Sequence, residues 1–272
     1  MKVSVCIPVY NGEQYIERTI QSVLDQTFTE YELLVIDNCS TDNTIDKVRN
    51  FKDSRIHLIQ NERNYGMFGN WNICLHRAQG EYIHLLCADD SLQPECLEKQ
   101  LNILETHKDV VFVFNASNVV DEQDKNIMKR RPFHKDMICD GKWLARKSFR
   151  THNLFGEPSN VLFRRSSSEL VGEFSSEVCY SSDWDYWMRL SMEGNVAYID
   201  ECLTNFRVST TSGTSQLLKQ KGKLKKDDKV LIDRVKQNPK FKVTKSDIAI
   251  HSIAIKMRLY AKMFFCLLTK KN

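Results

Sequence analysis

The sequence predicts an α/β fold with a mostly parallel central sheet and helices on both faces. Three observations carry this. Short apolar, β-branched runs alternate with segments whose apolar residues recur at helical spacing, the order that builds a parallel sheet with crossover helices. The early runs lead into polar clusters: Tyr10-Asn11, Asp37, Asn64 and Asp89-Asp90. A chain of 272 residues with 42% hydrophobic content has enough apolar side chains to cover such a sheet on both sides.

The first strand is Val3 to Val9, with Pro8 suited to a strand end. Tyr10-Asn11-Gly12-Glu13 forms a tight turn, and Ile16, Ile20, Val23 and Leu24 mark a helix. The second strand, Tyr31 to Ile36, enters the loop Asp37 to Asp42, where Thr41 or Asp42 caps a helix from Asn43 to Asn50. Arg55 to Gln60 is the third strand, followed by the loop around Asn64 and a helix near Met67–Ala78. Gly80 precedes the fourth strand, Tyr82 to Leu86, which stops at two adjacent carboxylates. A helix from Pro94 to His107 and a strand from Val110 to Phe114 come next, then a long basic loop from Asp121 to Asp140. Trp143–Phe149 is a short helix, Val161–Phe163 a strand and Arg165–Val171 a helix. Ser181 to Leu190 reads as a helix capped by Ser182, with Asp183 and Asp185 in its first turn, where negative charge suits the macrodipole. Val196–Ile199 and Cys202–Val208 are two short strands.

Nine cysteines without a CxxC or zinc spacing read as the reduced thiols of a cytosolic protein. The strand-like run after Met1-Lys2 does not fit a signal peptide, and no apolar stretch approaches the ~20 residues of a spanning helix. The charge is uneven: from Lys219 to Asn272 there are 16 Lys and Arg against 4 Asp, or +12, which leaves 1–218 at −8 within the total of +4. Behind the basic stretch, Ile250, Ile253, Ala254, Met257, Tyr260, Ala261, Phe264, Leu267 and Leu268 form a helical stripe flanked by Lys256, Arg258 and Lys262. This composition suits an interfacial helix on an anionic membrane surface. Its alternative is a helix packed back on the protein or joining copies of it.

In an open α/β sheet, ligands bind outside the carboxyl ends of the strands. Asp89 and Asp90 are delivered there, and two carboxylates suit Mn²⁺ or Mg²⁺ shared with phosphate oxygens. The same residues also suit a turn and helix cap before Pro94. Asp37 has a similar alternative as an Asx-turn. No GxGxxG follows a strand, which argues against a dinucleotide oxidoreductase.

Four ordered motifs then point one way: Val5-Cys-Ile-Pro-Val-Tyr-Asn-Gly, Glu32-Leu-Leu-Val-Ile-Asp-Asn-Cys-Ser-Thr-Asp, Asn64-Tyr-Gly and Ala88-Asp-Asp-Ser. From Val3 to about Val208 the chain resembles the family 2 glycosyltransferases, which have the GT-A fold and are mostly inverting. The resemblance implies a nucleotide-sugar-binding half (1–107), an acceptor half (108–212) and a basic amphipathic helical tail (213–272). It implies that Pro8, Tyr10, Asn11 and Glu13 lie against the nucleotide, that Asp37 accepts from the base, usually uracil, and that Asn64 joins the donor site. Asp90 would hold the Mn²⁺ or Mg²⁺ on the diphosphate, and Asp89 would reach the ribose or a metal-bound water. Asp183 would be the general base, with Asp185 its competitor and Trp184 an acceptor-side ring. Arg207 and Ser209 would meet the diphosphate.

The chain departs from the family pattern at Cys87, where many members carry Asp, and at Ser209, where many carry His. Cys87 is expected to pack within the sheet. Arg189 reads as an ion-pair partner of a nearby Asp, and Trp187 as core. The expected reaction transfers a sugar from a nucleotide-diphospho-sugar, UDP-linked, to a glycan or lipid-linked glycan acceptor in bacterial surface polysaccharide synthesis. The expected place is the cytoplasm, peripheral on the inner membrane, with an oligomer left open and no nucleic-acid partner. The rivals are a sugar-phosphate nucleotidyltransferase, which needs a glycine-rich basic loop that Tyr10-Asn-Gly-Glu lacks, and an inactive nucleotide- or glycan-binding protein.

Overall fold

The computed structural model describes residues 1–178, 180–209 and 223–269, with 223–225 and 258–269 described by their backbone alone. β1 (Val3–Val9), α1 (Ile16–Leu24), β2 (Tyr31–Asp37), α2 (Thr44–Arg49), β3 (Ile56–Gln60), α3 (Gly66–Arg77) and β4 (Tyr82–Leu85) alternate as expected. Then follow β5 (Ser91–Leu92), α4 (Cys96–Thr106), β6 (Val110–Val120), β7 (Asn126–Arg130), β8 (Met137–Asp140), α5 (Gly141–Arg150), β9 (Val161–Arg164), α6 (Arg165–Val171), α7 (Ser182–Ser191), β10 (Asn195–Arg207), α8 (Lys223–Gln237) and α9 (Lys245–Thr269).

The strands form one sheet in the order β3-β2-β1-β4-β9-β6-β10-β5, with β7 beside β6 and β8 beside β10. β1 pairs in parallel with β2 and β4, β2 with β3, and β6 with β10, while β9 is antiparallel to both β4 and β6. Alternation of side chains along each strand splits the core into two layers. One face buries Ile16, Ile20 and Val23 of α1 and Leu97, Leu101 and Leu104 of α4; the other buries Trp71, Phe149, Tyr186 and Trp187 of α3, α5 and α7. Gly80 lets the chain enter β4 tightly: a Cβ there would lie 2.6 Å from the Ser4 nitrogen.

Three expectations are corrected. The loop from Asp121 to Asp140 contains β7 and β8, edge strands whose largely exposed, mixed polar residues leave no apolar face to read. The two short strands near the end are one, β10, interrupted by register shifts between Ile199 and Thr204; the polar Asp200-Glu201 looks like a turn but lies in a bulged strand. Ser182 does not cap α7, because its hydroxyl donates to Ser175 O at 2.8 Å.

The C-terminal helices are not all tail. Leu231 and Val235 of α8, and Phe241 beyond it, belong to the same core as Trp187. Asp247 at the start of α9 is fully buried against Arg146 and Arg150 of α5, and His251 stacks on Phe149 at 4.2 Å. Up to His251, then, the chain follows the packing alternative. Ile250, Ile253 and Met257 point outward at 42%, 59% and 67% exposure. The side chains of the stripe from Tyr260 onward, and Lys219 at the head of the basic stretch, lie outside the described residues.

Candidate active site

A cleft of about 690 Å³ opens at the carboxyl ends of β1, β2 and β4 and is closed on its far side by α7 and the end of β10. Pro8, Tyr10, Asn11, Asn64, Asp89, Asp90, Asp183, Arg207 and Ser209 line it, so most of the expected residues are brought together.

At one end, the loops after β1 and β2 are laced together. Asn11, in the left-handed region at φ 51°, accepts from the Thr41 N–H at 2.8 Å on its side chain and donates its own N–H to Ser40 Oγ at 2.9 Å. Tyr10 is left 51% exposed, free to offer its ring to a base. Asn38, missed in the sequence, stands behind it. Its Nδ2 donates to Asn64 Oδ1 at 2.8 Å, and its Oδ1 accepts from Tyr65 N and Asn61 Nδ2. The signal was there in its place beside Asp37, but an Asn in a polar loop reads as turn chemistry.

Two residues expected at the donor have other partners in this structure. The Glu13 carboxylate accepts from the Asn43 N–H at 3.0 Å, which serves the start of α2, and Glu13 does not line the cleft. Asp37 is 1% exposed and accepts from the Ser40 N–H at 3.1 Å, which is the Asx-turn alternative.

The acidic pair sits at mid-cleft. Asp90 is 2% exposed, with Oδ1 accepting from Arg207 N at 2.8 Å and Oδ2 from the Ser159 hydroxyl. Asp89 is the more open of the two. Burial pushes both carboxyls up, and at Asp90 the neighbouring Asp89 charge adds to it. A divalent cation fits such a pair: the carboxylates supply hard oxygen ligands, and its charge relieves their repulsion. Among the described residues no three His, Cys, Asp or Glu side chains gather as a metal cluster.

Cys87, expected inside the sheet, is half-buried on the cleft wall beyond β4. Burial, then Asp90 and Asp89, hold its thiol well above the usual range, so it stays protonated. Arg207 is 2% exposed, and its guanidinium is spent on Asp89 O at 3.0 Å, Asp121 O at 2.6 Å and the Asp124 carboxylate. It braces the cleft wall, with its guanidinium over the Tyr15 ring.

At the other end, α7 presents Asp183 to the cleft. Burial above all pushes this carboxyl up to about 7; the Trp184 N–H opposes the shift, the Glu157 charge adds to it and Arg130 works against it. Asp185 faces away. It is 2% exposed and held by Arg189 at 2.9 Å and Arg234 at 3.0 Å, so of the two carboxylates only Asp183 lines the cleft, and Arg189 is the ion-pair partner expected. Trp184, expected at the acceptor, is 4% exposed, does not line the cleft, and its indole N–H donates to Ser148 Oγ at 2.8 Å. Glu157 and Tyr180, not singled out in the sequence, do line the cleft.

The profile of glycosyl transferase family 2 matches residues 4–171, more than half of the chain. The chain belongs to that family. It is a glycosyltransferase, which sets aside the nucleotidyltransferase reading. A putative teichuronic acid biosynthesis glycosyltransferase of Bacillus subtilis is 30% identical over 216 residues, 78% of this chain and 81% of that one. The Escherichia coli UDP-Glc:alpha-D-GlcNAc-diphosphoundecaprenol beta-1,3-glucosyltransferase is 30% identical over 244 residues, 87% of each chain. The crystal structure of S. aureus TarS 1-349 in complex with UDP-GlcNAc superposes with a TM-score of 0.74 at 18% identity, covering 94% of this chain and 72% of that one. The likeness shows the shared GT-A fold. The family match ends before α7, so it does not reach Asp183.

Proposed function

We propose that this family 2 glycosyltransferase is an inverting enzyme that moves a sugar from a UDP-sugar to a hydroxyl of a lipid-linked glycan during surface polysaccharide synthesis. One observation carries the reading: Asp183 and the Asp89–Asp90 pair line the same cleft, with Tyr10, Asn38 and Asn64 at its nucleotide end. The names of the Bacillus and Escherichia relatives support the substrate class.

Tyr10 offers a stacking face to the base, while Asn38, its amide spent on Asn64, Gly66, Asn61 and Tyr65, holds Asn64 in place on the cleft wall beside it. The Asp89–Asp90 pair would hold a divalent cation, which supplies charge neutralisation on the leaving diphosphate. Asp183 takes the proton of the acceptor hydroxyl, whose oxygen attacks the anomeric carbon from the face opposite the diphosphate. Configuration inverts. Among the described residues no helix is long and apolar enough to cross a membrane, and we place the enzyme peripherally on the cytoplasmic face, where a lipid-linked acceptor is presented.

UDP release from a panel of UDP-sugars, with and without a lipid-linked acceptor and with Mn²⁺ or EDTA, tests this. Asp89→Asn and Asp90→Asn should each lose most of the turnover, and EDTA should abolish it. Full rates in EDTA would remove the cation from the reading. Faster release from GDP- or TDP-sugars would remove uracil.

A further inference from the structure

Asp183 is not aimed by its own helix alone. A loop ahead of β9 meets it. Asn153 there folds back in an Asx-turn, with Oδ1 accepting from Phe155 N at 3.1 Å and Gly156 N at 3.3 Å. One hydrogen of its Nδ2 serves Gly156 O at 3.1 Å, and the other serves Asp183 Oδ2 at 3.2 Å. The amide cannot flip, since that would set its NH₂ against two N–H donors. The turn itself needs glycine: Gly156 has φ +91°, and a Cβ there would sit 2.3 Å from Asn160 Nδ2. Arg130 of β7 staples the loop at both ends, pairing with the Glu157 carboxylate and donating Nη2 to Asn153 O at 3.2 Å. Glu157 thus lines the cleft with its side chain 18% exposed.

We propose that Asn153 and Glu157 are positioning residues for the base: Asn153 aims the Asp183 carboxylate into the cleft, and Glu157 supplies the nearby negative charge that makes it a better proton acceptor. The proposal rests on the reading of Asp183 as base. The two residues act in opposite senses. A hydrogen bond to the ionised carboxylate favours ionisation, whereas a like charge disfavours it. Glu157 and Arg130 are the charged groups that bear on Asp183 from the elements packed against it; Asp185 and Arg189 on its own helix are turned toward each other and toward Arg234 of α8. Burial and Glu157 together outweigh Arg130 in raising the carboxyl.

The test is the pH dependence of kcat/KM on the full chain, with a UDP-sugar and acceptor. Glu157→Gln, nearly isosteric, should move the acid limb to lower pH by roughly half a unit or more. Asn153→Ala should move it to higher pH and lower kcat roughly 10-fold or more, because a misaimed base is lost from the reactive geometry. UDP affinity, measured without divalent cation because the Glu157 charge also bears on Asp90, should stay within about twofold in both, since neither residue lies at the nucleotide end. Asn153→Ser, which keeps a donor, should recover part of the loss. Limbs that stay put, or that move in the same direction in both variants, would overturn the proposal. If Asn153→Ala fails to fold, the Glu157→Gln limb decides it alone. Asp183→Asn separates the layers: full turnover there removes the base reading and this proposal with it, whereas an inactive Asp183→Asn beside unmoved limbs removes the proposal alone.

Discussion

Asp183 shows how one residue carries opposite demands. Its carboxyl is pushed up to about 7, chiefly by burial, against an ordinary value near 4. The folded state therefore holds the proton more tightly than the unfolded state. The stability this contributes is fully present below about pH 4 and is lost as pH rises through about 7. Above that the chain carries a half-buried charge that the proposed base role needs and the fold does not. Asp183→Asn should thus melt higher than the wild type at pH 8, by a few degrees, with the gap closing toward pH 5, while turnover falls ~10²–10⁴-fold. Thermal melts across that range check the sign; a gap of equal size at pH 5 and pH 8 would sink the argument. Roles at this scale were only partly legible. Asp183, Tyr10 and Asn64 reach the cleft because their place at strand ends or a helix start fixes their direction. Glu13, Arg207 and Trp184 have the right neighbours in sequence but spend their polar atoms on a helix start, loop carbonyls with a carboxylate, and a serine. Sequence position reports where a Cα goes, and hydrogen-bond competition decides the rest.

Elements were legible where burial is one-sided and missed where it is not. β1, β2 and α1 announce themselves through continuous apolar runs or a single apolar face. β7 and β8 are largely exposed edge strands, and α8 carries so many lysines that it reads as solvated, although Leu231 and Val235 are buried one turn apart. That helix bears on the site. Its Asp227, 4% exposed, accepts from the N–H groups of Tyr180 at 3.1 Å and Ser181 at 3.0 Å, immediately before α7. Arg234, two turns on, holds Asp185 at the other side of that helix's first turn. α8 therefore fixes the α7 end from which Asp183 projects. Asp227→Ala leaves two N–H groups without their charged acceptor, which should cost roughly 1.5–3 kcal/mol. Urea unfolding should show that loss, together with a drop in kcat at unchanged UDP affinity. Wild-type stability in the variant would separate α8 from the catalytic unit.

Across the whole molecule, the packing of α8 and the first turns of α9 changes how membrane attachment has to be argued. Removing everything from Lys219 would take Leu231, Val235 and Phe241 out of the core, so a truncated chain would fail for reasons unrelated to lipid. What stays available is the outward side of α9. Asp247 and His251 turn in toward α5, and Ile250, Ile253 and Met257 turn out. The surroundings are basic. α5 carries Lys142, Arg146, Lys147 and Arg150 with Trp143 half exposed, and α9 carries Lys245, Lys256, Arg258 and Lys262 against the single Asp247. Arg146 and Arg150 reach Asp247, so the outer side of α5 and the start of α9 adjoin. Apolar side chains set among lysines and arginines suit the interface of an anionic bilayer, where each basic residue near the surface contributes about 1 kcal/mol. The full chain should sediment with vesicles containing phosphatidylglycerol, less so in high salt and far less with phosphatidylcholine alone. Ile253→Asp with Met257→Asp should weaken that binding about tenfold or more while leaving transfer to a soluble acceptor at the wild-type rate. Equal sedimentation of the variant would reject the membrane as the occupant of this face. A wild-type dimer that the same two changes convert to monomer, with vesicle binding intact, would assign the face to a second copy of the chain.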